Sequence, residues 1–494
     1  MYNMTYCENG AYLDMEYGNN QCKSMDIQSS PAANLIMLAF WIVCCLLGLA
    51  IMFLGKHVYI GVAVIAVPTF IGMVIKPTFA LSLMAMSLTS GTGISYQGMF
   101  TMDRAVGIAL AVSFALNLII IRPKLSLRNK FIWLLFFYTI WVTFVSLIAP
   151  QAGYELRYRA FTQFQLLALA MITFWIIETN GERALVWMLR SYVIGTVGST
   201  LVTFATGAAM SSTMHGVESR MTATLGQEIN ANLLAAFIGL AFIAALYLIA
   251  RDRSILWRIV YLGIAMTSPL LLIRTGSRAV LAATAFTILS PILFVRQIFK
   301  KPVLIVFLIC IIIFVSVAGT FLMGRGQIDD PLSQRLTDVQ KAKKAISYRL
   351  ALIKSAISVS LQYPMGTSDS GWFFRSGQRH YPHNDFFYTL AAYGYPGAFL
   401  LTLMILSVVF SVRRMPLGWE KIYTRSVLIF ILIIGLSGGH TYKKFFWMFL
   451  VIILATESIS HANEYKRKLQ EDELIYGQEP LENQAQGQVT DTVY

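Results

Sequence analysis

Charged residues are scarce in this sequence, and their scarcity indicates its broad class. Only 13% of the 494 residues are charged and 56% are hydrophobic, whereas a soluble domain carries roughly 25% charged residues. Apolar runs of about 20 residues recur along the chain, which is the length that a membrane-spanning helix needs. Runs of this length exclude a membrane barrel of short strands. We therefore predict an all-α polytopic membrane protein.

Cysteine is also rare, and the five cysteines give little indication of a disulfide framework. Cys44, Cys45 and Cys310 lie in apolar runs, where a thiol is most often a packing group. Cys7 and Cys22 flank a polar segment and would pair only if that segment is periplasmic. The polar, acidic start of the chain lacks the basic region of a signal peptide, so we predict no cleavage there.

Several chemical motifs are absent from the sequence. It has no Asp-x-Asp motif, no paired carboxylates within the apolar runs, no cluster of His and Cys ligands, and no glycine-rich nucleotide loop. Asp329, Asp330 and Glu155 lie in predicted outward loops, but their spacing does not suit a metal site. We predict no metal and no cofactor. The net charge of +14 does not indicate nucleic-acid binding, because the basic residues lie in short loops between apolar runs.

The apolar runs predict about fourteen spans, with twelve to fourteen as the range. Their starts lie near Asn34, His57, Pro77, Arg104, Phe131, Phe161, Ala184, Ile229, Ile259, Ala279, Val303, Asp385, Ser426 and Phe445. Basic clusters fall on one side of this arrangement, which the positive-inside rule assigns to the cytoplasm. The clusters are residues 122–130, 251–258, 296–301, 413–425 and 466–468. The loops predicted on the opposite, periplasmic side are residues 150–160, 207–228, 274–278 and 324–384.

Three parts of the chain follow from this arrangement. Residues 1–33 form a polar N-terminal segment, residues 34–464 the membrane domain, and residues 465–494 a polar tail that we predict to be disordered and cytoplasmic. Within the domain, the loop of residues 324–384 is too long for a simple connector, and loops of this length are usually functional.

An amphipathic helix is predicted inside this long loop. Its apolar residues recur at helical spacing and suit a helix on the bilayer surface: Leu336, Val339, Ile346, Leu350, Ile353, Ile357 and Leu361. Its basic residues are Arg335, Lys341, Lys343, Lys344, Arg349 and Lys354. Because topology does not require positive charge on the periplasmic side, this charge suggests an anionic ligand.

The long loop ends in Tyr381-Pro-His383-Asn384-Asp385 at the start of a predicted span. Asn384 and Asp385 are suitable caps for that helix. A neutral histidine there is suited to remove a proton from a sugar hydroxyl. The alternative is an interfacial histidine bonded to the loop backbone. His380 is a second candidate for the same role.

Three arginines are candidate anion ligands, because a guanidinium stays charged and binds phosphate oxygens in pairs. Arg278 lies at the outer end of a span, where the alternative is a snorkelling anchor, a role that suits Arg274 better. Arg220 precedes Asn230 and Asn232, whose alternative role is to hydrogen-bond neighbouring helices. Arg349 lies on the amphipathic helix, where a solvated charge is the alternative.

Together these segments resemble the bacterial O-antigen ligase and O-antigen polymerase superfamily. The resemblance rests on Arg220…Gly226…Asn230, Thr275-Gly-Ser-Arg278-Ala, Tyr348-Arg349…Tyr363-Pro-Met-Gly366 and His383-Asn384-Asp385…Tyr393-Gly394-Tyr-Pro-Gly397. Tyr395-Pro396 departs from the plainer Gly-x-x-Gly pattern, although both glycines remain. The N-terminal third of the chain is similar only in being hydrophobic.

The resemblance implies a GT-C-like, metal-independent glycosyltransferase of the bacterial inner membrane. Its substrate is a glycan on undecaprenyl pyrophosphate, transferred on the periplasmic side with inversion. His383 would be the catalytic base, Arg278 and Arg349 the catalytic pyrophosphate ligands, and Arg220 a further contact. Asn230, Asn384 and His380 complete the expected substrate site.

The acceptor distinguishes the possible activities. A polymerase of O-antigen, exopolysaccharide or capsule would extend another carrier-linked repeat, and the length of the chain favours it. An O-antigen ligase would transfer the glycan to lipid A core, and an oligosaccharyltransferase to protein. A flippase for lipid-linked oligosaccharides is the alternative from another class, although its charges should lie near the bilayer midplane. Expected partners are the carrier lipid, the acceptor, membrane lipids, a chain-length regulator and a flippase.

Overall fold

A computed structural model describes residues 4–6, 12–14, 31–54, 58–90, 95–96, 100–121, 129–205, 210–212, 219–221, 223–224, 227–228, 231–294, 339–438 and 440–476. Its helices are α1 (Pro31–Leu54), α2 (Val58–Ile75), α3 (Pro77–Ser90), α4 (Met102–Ile121), α5 (Lys130–Leu147), α6 (Ala152–Glu155), α7 (Phe161–Ala205), α8 (Ala231–Arg251), α9 (Ile255–Thr275), α10 (Arg278–Phe294), α11 (Val339–Gln362), α12 (Ser368–Ser376), α13 (Asp385–Arg414), α14 (Trp419–Gly435) and α15 (Lys444–Tyr476). A π-helical turn, Leu156–Ala160, joins α6 to α7.

Short antiparallel hairpins are the only strands in the described part of the chain, and they lie between helices or before α1. They pair Met4–Tyr6 with Tyr12–Asp14, Ser95–Tyr96 with Phe100–Thr101, Met210–Ser212 with Ser219–Met221, and Ala223–Thr224 with Gln227–Glu228. None is long enough to form a sheet that spans a membrane. The predicted all-α polytopic fold is confirmed.

The helices begin close to the predicted span starts. The predicted span at Val303 lies outside the described residues, and α14 begins at Trp419 rather than Ser426. The two spans predicted from Phe161 and Ala184 are the halves of α7, which breaks at Gly181 (φ 63°, ψ −148°). That backbone conformation is essentially restricted to glycine.

Six segments of the described chain are long and apolar enough to cross a membrane. They are Lys130–Leu147, Ala152–Leu201, Ala231–Arg251, Ile255–Thr275, Asp385–Arg414 and Lys444–Glu471. Shorter apolar helices are Ala39–Gly48, Val64–Ile75, Pro77–Leu88, Arg104–Ile120 and Arg278–Ile288.

The centre of the bundle is formed by α8 and the first half of α15. Every residue from Phe445 to Ile453 is buried, as are most residues of α8. A helix that is apolar on all sides belongs in the interior, and α15 packs against α7, α13 and α14. In contrast, α9 leaves Ile255, Leu256 and Ile259 exposed. Rows of exposed apolar side chains like these suit contact with lipid.

The amphipathic helix predicted in the long loop is present as α11, and a second face of it, not predicted, packs against the protein. Leu352, Ala356 and Val359 are buried, and Ala356 and Val359 pack in one small cluster with Trp372 and Ala391. The predicted apolar stripe stays outside, with Ile346, Leu350, Ile357 and Leu361 exposed. Small residues allow α11 and α13 to approach closely, which spacing alone does not reveal.

The parts of the chain outside the membrane domain are only partly described. Helix α15 continues to Tyr476, past Tyr465 where the predicted tail begins. Cys44 and Cys45 are free thiols. Cys7, Cys22 and Cys310 lie outside the described residues, as do Leu336 and Arg335 of the long loop.

Candidate functional site

Helix α13 is interrupted at Gly394, and a loop packs against the interruption. Gly394 has φ 67° and ψ −168°. The freed groups find partners: Tyr395 N–H donates to Pro364 O (2.9 Å), and Thr367 N–H donates to Ala391 O (3.3 Å). Trp141 Nε1 donates to Tyr393 O (2.7 Å). A break in a membrane helix is tolerated only where its backbone groups are satisfied in this way.

The loop from Tyr363 to Thr367 lies very close to α13. A Cβ added to Gly394 would lie 2.3 Å from Pro364 O, and one added to Gly366 would lie 2.6 Å from Ala392 O. Gly366 also has a positive φ of 98°. Both glycines of this contact belong to the segments on which the family resemblance rests, and the structure supplies their physical reason.

His383 lies in the segment that joins α12 to α13, two residues before α13 begins. As predicted, Asn384 caps the helix: its side chain accepts from Phe386 N–H (3.0 Å) and Phe387 N–H (3.1 Å). The cap turns the chain so that Asn384 is buried while His383 remains exposed. Asp385, also predicted as a cap, has a different role: its Oδ1 accepts from His440 N–H (2.5 Å) and Thr441 N–H (3.0 Å).

Arg349 and His380 lie near His383 and influence its charge. Partial desolvation, followed by the positive charge of Arg349 and then His380, lowers the pKa of His383 from its ordinary value. His380 is held by its backbone, since Trp372 Nε1 donates to His380 O (3.2 Å), and its ring lies 6.2 Å from that of Tyr348. The lowered pKa keeps His383 neutral near pH 7, which is the state that a general base requires.

Of the predicted site residues, the structure thus brings His383, His380, Arg349 and Asn384 together. Arg278 is half-buried at the start of α10, and its Nε has no hydrogen-bond partner among the described residues. Within the same set, no hydrogen bond or ion pair joins Arg278 to His383 or Arg349. Arg220 lies on the strand Ser219–Met221, which contacts α9. Asn230 lies outside the described residues.

A buried polar cluster, which meets the His383 segment through the ring contact of Tyr388 with Tyr381, was not predicted from the sequence. Arg159 forms an ion pair with Asp369, and Tyr388 Oη donates to Asp369 Oδ1 (2.5 Å). Glu155 accepts a hydrogen bond from Ser370 N–H and is fully buried, although we predicted that it lies in an outward loop. Burial raises the pKa of Asp369 to about 6, opposed by the charge of Arg159.

A second missed element is the segment from His440 to Lys443 between α14 and α15. Tyr442 lies under two cations, with Arg159 Cζ 5.2 Å and Lys443 Nζ 4.6 Å from its ring centroid. Asp385 binds the backbone of this segment, so it is fixed beside the start of α13. Sequence analysis passed over it because it is short. Inner and outer loops alternate along the chain, and the preceding loop, residues 413–425, is predicted on the inner side. This segment is therefore expected on the outer side, together with the long loop.

Donor groups for a metal ion are not gathered in the described part of the chain. No three His, Cys, Asp or Glu side chains there are placed to hold a metal ion. The carboxylates nearest the candidate site that influence one another are Glu155 and Asp369. Each is already engaged, by Ser370 N–H and by Arg159 and Tyr388 respectively.

Comparison with protein families identifies the segment that carries this site. Residues 263–402 match the O-antigen ligase family model. The match runs from α9 into α13 and includes Arg278, Arg349 and His383. The resemblance to the O-antigen ligase and polymerase superfamily is thereby confirmed over these residues. No curated protein matches the chain.

Proposed function

We propose that this protein is a glycosyltransferase of the bacterial inner membrane. The match of residues 263–402 to the O-antigen ligase family model supports the proposal. The protein transfers a glycan from undecaprenyl pyrophosphate to a sugar hydroxyl on the periplasmic side. The observation that carries the proposal is His383, an exposed histidine with a lowered pKa beside Arg349, within the matched segment.

The reaction is a direct displacement at the anomeric carbon of the donor sugar. The acceptor oxygen forms a bond to that carbon as the bond to the pyrophosphate oxygen breaks, and the electron pair of the broken bond stays on the pyrophosphate. His383 takes the proton of the acceptor hydroxyl. Attack from the face opposite the leaving group inverts the configuration. Because pyrophosphate leaves readily, the mechanism requires no general acid.

Arginines stabilise the negative charge that develops on the leaving group. Arg349 is the best-placed candidate, since it lies near enough to His383 to lower its pKa. Arg278 supplies an unpartnered, buried Nε at the start of α10. We assign Arg220 to the same pyrophosphate, and Asn230, Asn384 and His380 to the glycan. The long loop, including α11, covers the substrates in the manner of a lid.

The periplasmic orientation rests on the distribution of charge. The basic clusters at residues 251–258 and 413–425 share one end of the helical bundle, where Arg251 contacts Glu420, and α13 separates them from His383 at its other end; the clusters at residues 122–130 and 296–301 are predicted on the same side as the first two. The positive-inside rule assigns the clustered side to the cytoplasm. This arrangement puts the candidate site near the bilayer surface rather than the midplane, which favours a transferase over a flippase.

We propose a polymerase in preference to a ligase, on the length of the chain and of its outward loop. The acceptor is then a second carrier-linked repeat unit. In the alternative, a ligase, the acceptor is lipid A core. The chemistry at His383 is the same in both, so the products distinguish them.

The test is the pattern of surface polysaccharide in cells that lack the native gene and carry wild type or His383→Ala. Loss of a general base lowers the transfer rate by about 10²–10⁴-fold. We expect wild type to give a ladder of chain lengths and His383→Ala to give single repeat units. Membrane levels of both proteins are compared by immunoblot, with His461→Ala, on the last helix, as the matched control.

The other outcomes are equally informative. If long chains accumulate on the carrier lipid and never reach lipid A, the protein is a ligase. If His383→Ala produces the wild-type ladder, His383 is not the base and the proposal fails.

A further inference from the structure

Lys443 is a half-buried cation at the end of the segment His440–Lys443, next to α15. Its Nζ lies 4.6 Å from the Tyr442 ring centroid, and the guanidinium of Arg159 lies 5.2 Å from the same centroid. Two cations thus share one aromatic ring. Neither residue belongs to the segment that matches the O-antigen ligase family.

The charge of Lys443 meets the ring of Tyr442 but no anion within the described part of the chain. No described carboxylate forms an ion pair with its Nζ, and no described group accepts a hydrogen bond from it. Burial, and then the charge of Arg159, lower its pKa, and no described group raises it. The carboxylate nearest to Arg159, that of Asp369, is already engaged by Arg159 and Tyr388.

Lys421, near the other end of the bundle, shows how a partly buried lysine is usually accommodated. Its Nζ donates to Met415 O (2.6 Å) and Arg413 O (3.1 Å), which satisfies the ammonium with backbone carbonyls. A partly desolvated ammonium without such acceptors, pressed towards a guanidinium, destabilises the fold. An anion from outside the chain would reverse that effect, and perturbed charges of this kind concentrate at functional sites.

We propose that Lys443 and Arg159, which the ring of Tyr442 holds near each other, bind a phosphate group. A compact ammonium is a common phosphate ligand, and a guanidinium beside it supplies further N–H donors. Asp369 holds Arg159 in place through an ion pair and forms none with Lys443.

The position of this site indicates the source of the phosphate. Tyr381, two residues before His383, lies 5.3 Å from Tyr388, and Tyr388 lies 6.2 Å from Tyr442, measured between ring centroids. A row of aromatic rings therefore connects the His383 segment to the Lys443 site. Arg349 acts on His383 from α11, whereas Lys443 approaches from the start of α15.

Glycosyl transfer needs two substrates, so a second anion site beside the first suits the acceptor. If the acceptor is carrier-linked, its pyrophosphate is the expected occupant, and this assignment rests on the proposed function. The phosphate of an anionic phospholipid is the other source with the same chemistry. Occupation by a phosphate does not itself depend on glycosyl transfer.

The experiment measures binding without turnover. Full-length protein in nanodiscs of zwitterionic phosphatidylcholine is titrated with farnesyl pyrophosphate by calorimetry. We expect two classes of site in wild type. Lys443→Gln should weaken one class by about tenfold or more, the loss expected for one charge-assisted hydrogen bond. Lys443→Arg should retain it, and Lys468→Gln, an exposed lysine near the end of α15, should leave both unchanged.

A second set of nanodiscs contains anionic phosphatidylglycerol. If this lipid abolishes the Lys443-dependent class of binding in wild type, the site binds a phosphate of the bilayer and the acceptor is not its occupant. If it has no effect, the carrier pyrophosphate is the occupant. If Lys443→Gln binds farnesyl pyrophosphate as wild type does and phosphatidylglycerol alters nothing, the proposed site is wrong.

Stability provides an independent readout. Removing an uncompensated cation relieves its repulsion with Arg159, so Lys443→Gln should unfold at the same temperature as wild type or higher. A fall of several degrees would mean that Lys443 stabilises the fold and is not held for a ligand. His383→Ala should retain both classes of binding, so failure of the transferase proposal and failure of this one are distinguishable.

Discussion

The two ends of the helical bundle differ in how half-buried arginines are paired. At one end, here called the paired end, Arg251 contacts Glu182 through Nε (2.5 Å) and Nη2 (2.6 Å) and lies 3.4 Å from Glu420. Arg190 contacts Asp252 at 2.6 Å at the same end. At the other end, here called the open end, Arg278 and Arg349 have no carboxylate partner among the described residues.

The difference distinguishes arginines whose charge stabilises the fold from arginines whose charge is available to a ligand. A guanidinium matched to a carboxylate holds two helices in register and offers little to a ligand. One without a partner is desolvated at a cost that an anionic ligand offsets. Arg159 is the exception at the open end, and there its carboxylate, Asp369, has a pKa of about 6 because it is buried.

The open end keeps its shape by backbone contact instead. The loop at Pro364 to Thr367 bonds to the break in α13, and Asp385 bonds to the backbone at His440 and Thr441. Backbone hydrogen bonds fix the loops without neutralising the cations. The paired end also has bonds to the backbone, such as those of Lys421, but adds ion pairs that join different helices directly.

The largest expected effect comes from replacing one arginine with glutamine at each end of the bundle. Arg349→Gln should lower the transfer rate by about 10²-fold, the loss typical of one transition-state donor, with little change in unfolding temperature. Arg251→Gln should cost roughly 1–3 kcal/mol of stability, because it leaves Glu182 and Glu420 without their partner. Its transfer rate per folded molecule should match that of wild type.

Purified variants in detergent allow both quantities to be measured, by thermal unfolding and by product formation from a lipid-linked glycan. The comparison between the ends is contradicted if Arg349→Gln unfolds several degrees below wild type but transfers the glycan at the wild-type rate. It also fails if Arg251→Gln is stable but inactive.

A smaller effect should follow from adding one methyl group at the open end. Gly394→Ala places a Cβ against Pro364 O in a conformation restricted to glycine. The loop should therefore separate from α13, with a partial loss of activity that is smaller than that of Arg349→Gln. Gly377→Ala is the matched control: its φ of +63° is close to the +67° of Gly394, but its Cβ would meet no atom within 4 Å.

For Gly377→Ala we expect only the strain of a left-handed residue, about 1–2 kcal/mol, with activity retained. Limited proteolysis reports whether residues 363–367 are released. Equal behaviour of the two variants would mean that positive φ alone, and not the close approach of α13, limits both sites.

The smallest expected effect is a shift in pH dependence. The pKa of His383 lies below its ordinary value of 6.5, so wild type should keep its base neutral, and its rate high, as the pH falls to 6.5. The rate should then fall as the pH drops through the lowered pKa. Removing the charge of Arg349 raises that pKa, so Arg349→Gln should lose its remaining rate at a higher pH than wild type.

The profile of log rate against pH for the two proteins tests this order. A midpoint that does not move would mean that Arg349 does not act on His383. A midpoint that moves down would contradict the sign of the interaction.

Much of the fold was predictable, because membrane helices carry their own evidence. Apolar runs predicted the helices that start at Pro77, Lys130 and Asp385 to within a residue or two, since every span must be long and apolar. The cap by Asn384 was predictable for a similar reason: the preference is local to four residues. The buried face of α11 was not, because small residues such as Ala356 set it by fitting against α13.

The candidate site divides in the same way. The sequence by itself determined that His383 lies at the end of a polar loop, just before a helix, and that arginines are available on that side, because these properties depend on neighbours along the chain. Only the tertiary structure decided that Arg349 acts on His383, that Glu155 is buried beside Arg159 and Asp369, and that Lys443 shares a ring with Arg159. Those contacts join residues far apart in sequence, and the packing of helices brings them together.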